Sequence, residues 1–225
     1  MSYYAYRLYD FLEQLARNNN REWFKAHKPE FDELRALWLE DIDRLIAHMT
    51  VWEPSMATQT AKTCAYRIYR DTRFSDDKTP YKTYMSAIFS GAGRHAHRAC
   101  YYLQMDLRPD ESGLYGGLWC PDAAMLRKLR RAIVDNSEEF EEIINAPELS
   151  RLYPGWIGSS LKTVPKGYEK DHPLAHLLRL KDYGKAHLCD RRFFTDPAWP
   201  ERSAELFRVL KPLNDFLNYS LDEDV

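Results

Sequence analysis

Leu8, Phe11, Leu12 and Leu15 recur at helical spacing within residues 4–17, which predicts a first helix. Asn18-Asn19-Asn20 interrupts that pattern. Asparagine tolerates the left-handed backbone that closes a helix, and it also caps the next one. Asn19 and Glu22 have the spacing of a capping box, so a short helix through Trp23 and Phe24 is expected. Pro29 suits the first turn of a longer helix, with Phe31, Leu34, Leu37, Trp38, Ile42, Leu45 and Ile46 as its buried stripe. From about residue 62 the period falls to two. "CAYRIYR" at 64–70, "TYMSAIFS" at 83–90, "ACYYLQMDL" at 99–107 and "SGLYGGLWC" at 112–120 each read as a strand. In the third, Ala99, Tyr101, Leu103, Met105 and Leu107 point one way, and Cys100, Tyr102, Gln104 and Asp106 the other. Gly116-Gly117 in the fourth implies a bulge or a close backbone approach.

After Pro121 the helical period returns. Leu126, Leu129 and Ile133 mark a helix ending near Asn136, and Ser137 to Ile144 marks another with acidic early turns. Residues 146–172 form a long irregular stretch, and Asp171-His172-Pro173 opens a helix carrying Leu174, Leu177 and Leu178. A last helix starts near Glu201, and Pro212 forces a kink or restart before Phe216 and Leu217. The expected fold is α+β. N-terminal helices lead into a central four- to five-stranded antiparallel sheet, and C-terminal helices pack on it. With 225 residues and no repeat or low-complexity linker, the chain reads as one domain spanning 1–225.

Net charge is -2, so no global basic field points to nucleic acid. The charge is nonetheless blocked along the chain. Residues 59–100 hold eight Lys/Arg against three Asp/Glu, and residues 151–199 hold nine against five, while the other three segments are acidic. Cys64, Cys100, Cys120 and Cys189 form no CxxC pair, which fits reduced single thiols. Residues 1–20 lack a signal-peptide core, and no run is long enough for a membrane span, so the expectation is a cytoplasmic protein with no membrane partner.

The richest chemistry lies in "RIYRDTRFSDDKTPYK" at 67–82, with five cations and three carboxylates. Arg67, Arg70 and Arg73 offer planar donor forks, and Lys78 and Lys82 add point charges. Ser75 and Tyr81 add hydroxyls, and Pro80 stiffens the turn. Converging donors on a rigid turn beside a sheet make an anion cradle. The competing reading is that Asp71, Asp76 and Asp77 simply pair with these cations. Even then, five cations against three carboxylates leave two over. In the second basic block Lys162 and Lys166 read as a lid. His172 beside Asp171 is the acid/base candidate that titrates near neutrality, and Asp71 and Asp77 are the others.

These residues also carry a resemblance. "NNNREWFKAHKPEF" at 18–31, the 67–84 block, "GGLWCPD" at 116–122, "LKTVPKGYEKDHP" at 161–173 and "LKPLNDFLN" at 210–218 resemble, in order, blocks of domain-of-unknown-function family 2461. That group comprises bacterial and fungal conserved hypothetical proteins. The resemblance implies a single-domain protein of that family and implies no activity.

His95-x-His97 with Cys100 reads as part of a glycine-containing turn, not a metal site. No GxxxxGK[ST], GxGxxG or GxSxG run occurs, so no cofactor and no metal are expected. Two functions remain open. One is binding of a phosphate- or carboxylate-bearing small molecule, with or without catalysis. The other is a nucleic-acid or protein interaction module using the same basic face. Oligomeric state is left open.

Overall fold

The computed structural model of the chain describes residues 3–95 and 97–222. Helix α1 spans Tyr4–Arg17 and buries Leu8, Phe11, Leu12 and Leu15 as the spacing predicts. Helix α2, Arg21–Thr50, is one continuous helix of 30 residues, so the expected break before Pro29 does not occur. An interior proline costs a helix about 3 kcal/mol. Phe24, Phe31, Leu34, Trp38, Ile42, Leu45 and Met49 on the same helix are all buried. Each such side chain contributes about 1.5–3 kcal/mol, so the stripe outweighs the proline. The cap of α2 also differs from expectation. Asn20, not Asn19, accepts the Trp23 amide, at 2.9 Å.

A 3₁₀ turn at Pro54–Thr58 and a one-turn helix α3, Ala61–Cys64, lead to the segment expected as the first strand. That segment is not a strand. It makes only isolated antiparallel bridges, Ala65 to Ala87 and Tyr69 to Tyr81. Its partner across the turn contains Pro80, which has no amide to donate, and a ladder with missing rungs does not propagate. The strands are β1 Tyr84–Phe89, β2 Cys100–Asp106, β3 Gly113–Leu118 and β4 Tyr183–Leu188, in the order β1-β2-β3-β4 and antiparallel. Three were expected where they stand. The fourth, "YGKAHL", was not, because Lys185 and Gly184 disguise a buried strand.

The remaining helices are α4 Ala123–Asp135, α5 Ser137–Asn145, α6 Pro147–Leu152, α7 Ala175–Leu178, α8 Arg191–Thr195, α9 Trp199–Arg208 and α10 Lys211–Asp222. The fold is therefore α+β as expected, with helices before and after the sheet. No helix among the described residues is long and apolar enough to cross a membrane.

The chain clusters into two compact units. One comprises residues 1–94, 102–114 and 188–205, and the other residues 95–101, 115–187 and 206–225. The first is organised around Asp41, which is only 5% exposed. Its carboxylate accepts from the hydroxyls of Tyr3 and Tyr4, from Trp199 Nε1 at 3.2 Å and from Arg44 Nη1 at 2.8 Å. Arg44 continues to Glu201 at 2.5 Å.

In the second unit Asp182 does similar work, accepting the backbone amides of Cys120 at 2.9 Å and Ser159 at 3.2 Å. Gly117 has φ +107°, and a Cβ there would lie 2.0 Å from the Tyr183 carbonyl oxygen. The close approach expected of the Gly116-Gly117 pair is thus present. Lys185 is buried, donates to the carbonyls of Tyr153 at 3.2 Å and Gly155 at 2.8 Å, and lies 4.3 Å from the Trp156 ring centroid. Burial pushes its pKa down to about 8.

Two outcomes follow. Asp41→Ala strands several buried donors at once, so urea denaturation should show a loss of about 3 kcal/mol with an unchanged m-value. Between pH 8 and 10 the unfolded chain holds the Lys185 proton more tightly than the folded one, so this lysine contributes stability that rises with pH, while the Cys64, Cys100 and Cys189 thiols, pushed up by burial, contribute the opposite slope. Lys185→Met should therefore make melting temperatures fall more steeply with pH across this range than in the parent protein.

Candidate functional site

The turn at 67–82 is held at both ends by backbone. The Tyr66 amide donates to the Ser86 carbonyl at 2.9 Å, the Arg70 amide to Pro80 at 2.9 Å, and the Lys82 amide to Ile68 at 2.8 Å. Asn19, in the corner between α1 and α2, grips the far arm. Its Nδ2 donates to the Tyr81 carbonyl at 2.9 Å, and the Tyr81 amide donates to its Oδ1 at 3.1 Å. Tyr81 itself is 6% exposed and stacks on Phe24 at 4.1 Å. Its ring is a core anchor for the turn.

Within the turn, three of the five cations are occupied. Arg73 forks onto Asp71, with Nε at 2.9 Å and Nη2 at 2.7 Å. Arg70 reaches both the Asp77 carboxylate and the Thr79 hydroxyl. Lys78 Nζ donates to the Thr72 carbonyl at 3.0 Å. These contacts set the carboxylates' acidity. The Arg73 side chain, then its amide, holds Asp71 down at about 2. The Thr79 amide, then Arg70, holds Asp77 at about 2. Carboxylates that acidic are weak bases near neutrality. Their observed work is to brace the loop. Ser75 is half-buried and Asp76 exposed.

Arg67 and Lys82 make no ion pair among the described residues, although the Arg67 charge is near enough to Asp71 to help lower its pKa. Lys82 is half-buried. Its Nζ lies 5.0 Å from the Tyr66 ring centroid and 5.5 Å from that of Tyr84. Burial, and then the positive charge of Arg67, push its pKa below the ordinary lysine value. The two rings oppose that shift, because an ammonium over an aromatic face gains about 0.5–2 kcal/mol. Arg94 lies 5.6 Å from the same Tyr66 ring and donates to the Ala65 carbonyl at 2.7 Å.

The polar side of β2 adjoins this group. Tyr66 meets Tyr102 edge-on at 6.4 Å. The Tyr102 hydroxyl donates to Gln104 Oε1 at 2.7 Å, and Gln104 Nε2 donates to Asp106 at 2.9 Å. Asp106, with a fully buried side chain, is forked by Arg108 at 2.9 and 3.1 Å. Tyr102, Gln104 and Asp106, read from the sequence as sharing one side of this strand, are therefore a hydrogen-bonded ladder.

Lys162, Lys166 and His172 of the second basic block belong to the other unit. Lys162 and Lys166 are exposed and carry no ion pair among the described residues. The one-turn helix α7 follows Leu174, with no side-chain cap from Asp171. His172 Nδ1 instead accepts the Leu174 amide at 3.1 Å, and its ring meets Tyr168 edge-on at 6.1 Å. With Nδ1 an acceptor, the proton of the neutral ring sits on Nε2.

His95 and His97 are exposed, and Ala96 between them lies outside the described residues. Among the described residues no three His, Cys, Asp or Glu side chains cluster as a metal site. Sequence reasoning passed over Tyr84, Arg94 and Asn19 as parts of the site. Two of these act across the fold. Lys82 and Tyr84 are only two apart, and that spacing was the available signal.

Residues 7–216 match the family described as conserved hypothetical protein DUF2461, and the chain belongs to that family. No curated protein and no solved structure matches it.

If the internal pairs brace the loop, Asp77→Ala should speed amide hydrogen exchange across residues 71–79 by at least tenfold. The melting temperature should stay within a degree or two, because exposed ion pairs add little to global stability.

Proposed function

We propose that this member of the family binds a phosphate- or carboxylate-bearing small molecule between Arg67 and Lys82. One observation carries the reading. After the turn's own aspartates have taken Arg70 and Arg73 and the Thr72 carbonyl has taken Lys78, Arg67 and Lys82 remain without an ion pair among the described residues, close enough for one to depress the other's pKa. An anion between them would replace repulsion with two charge-assisted hydrogen bonds. The Arg67 guanidinium offers a fork, and the Lys82 ammonium a point charge already partly stripped of water by Tyr66 and Tyr84. Charges interact more strongly in such a setting than in bulk water. Arg94, also on Tyr66, adds a third positive group.

The same proposal places the protein in the cytoplasm, which the four free cysteines support. The reading is one of binding. Catalysis would need a base other than the arginine-bound Asp71 and Asp77.

Thermal-shift measurements with inorganic phosphate, sulfate, phosphorylated metabolites and an oligonucleotide test it. A small anion should raise the melting temperature. Arg67→Ala and Lys82→Ala should each weaken binding at least tenfold, and Arg73→Ala should leave it unchanged. No shift with any anion, or a shift indifferent to both Arg67 and Lys82, would overturn the assignment. Binding of the oligonucleotide alone, falling steeply with salt, would replace it with a nucleic-acid interface.

A further inference from the structure

The second unit contains an open trough of about 820 Å³ between its helices. Pro212, Phe216 and Tyr219 of α10 line one side, at steps of four and three residues. Glu139, Glu142 and Ile143 of α5 line another, again at three- and four-residue spacing. Rows of this kind are the ridges that helices present to other helices. The α10 row runs about 10 Å along the helix axis at 1.5 Å per residue. Two such rows facing one open trough offer the spacing against which a further helix can pack.

Its chemistry is two-sided. Phe216 is 8% exposed and forms part of the lining, packed on Phe140 at 4.9 Å, while Tyr219 is 67% exposed. The lining thus alternates apolar rings and aliphatic carbons with carboxylates, the mixture an amphipathic helix presents in complement. The rim is acidic. Helix α5 carries Glu138, Glu139, Glu141 and Glu142 within nine residues. None of the four makes an ion pair or side-chain hydrogen bond among the described residues. Asp215 on the opposite row is paired with Lys211 at 3.0 Å. Among the described residues no Lys or Arg lines the trough. Uncompensated like charge along one helix is unfavourable to the isolated protein and becomes favourable beside a positive partner.

We propose that this trough docks a basic amphipathic helix of a partner protein. The partner's apolar row would lie on Ile143, Phe216 and Tyr219, with lysines or arginines against Glu139 and Glu142. This is helix-in-groove recognition, read through anchors at i, i+3/i+4 and i+7. The site is independent of the Arg67–Lys82 assignment, since it uses the opposite charge and different residues.

The test uses the full chain and two synthetic 18-residue helices, both with leucine on one face. One has lysine on the other face, the second glutamate. Fluorescence anisotropy gives affinity, and hydrogen exchange gives the footprint. The lysine helix should bind and protect residues 139–143 and 212–220, and binding should weaken as salt rises. The glutamate helix should not bind. Glu139→Lys with Glu142→Lys should reduce affinity for the lysine helix at least tenfold, and Tyr219→Ala should also weaken it. All three residues are exposed, so unchanged circular dichroism will confirm folding. Absence of binding, equal affinity for the double variant, or protection elsewhere would overturn the proposal. So would sedimentation showing that two copies of the chain bury this trough against each other.

Discussion

A carboxylate taken out of water must be given donors, and that constraint shapes both units of this protein. Asp41, Asp106 and Asp182 are each under 10% exposed. An unpaired buried charge costs several kcal/mol, so none of the three could sit where it does alone. Asp41 is satisfied by two tyrosines, a tryptophan and an arginine drawn from positions 3, 4, 44 and 199. Asp182 is satisfied by backbone amides at 120 and 159. Asp106 is met by its near neighbours Gln104 and Arg108. The first two pull remote segments together. The third locks the polar side of a strand.

The turn at 67–82 shows the same chemistry in water. There the aspartates are exposed, their arginines stay within reach along the chain, and the pairs shape a loop without anchoring a core. This local settlement makes the remainder meaningful. Lys82 and Arg67 lie outside it, and Lys82 is partly removed from solvent by tyrosines that satisfy a cation only in part. The ligand assignment therefore rests on what is left after the structural pairing has been subtracted, not on the number of basic residues. The acidic helix α5 is a second remainder of opposite sign.

Where the sequence misled, a particular competing force explains it. Pro29 reads as a helix start, yet it sits inside α2 because the apolar stripe on both sides outweighs one lost hydrogen bond. "CAYRIYR" has strand periodicity, but the proline in its partner arm leaves too few rungs. "YGKAHL" hides its strand character behind a lysine whose charge is met by two carbonyls and an indole ring. Asn19 looks like a helix cap. Instead it pins Tyr81, because its neighbour Asn20 takes the cap.

Periodicity alone determined the α+β class, three of the four strands and most of the long helices, because burial of one face imposes a local repeat that survives in any context. Local composition also showed that cations outnumber carboxylates in the 67–82 turn, since counting needs no coordinates. Which two cations stay unmatched was decided by tertiary structure alone. Arg73 and Lys78 look equally eligible on paper, and only the folded path of the loop brings Asp71 to one and a carbonyl to the other. It was likewise the fold that set Lys82 against Tyr66 and Tyr84 and used Asn19 as a clamp. The Asn19–Tyr81 clamp and the Lys82–Tyr66 contact join residues far apart along the chain, and a linear pattern does not encode them.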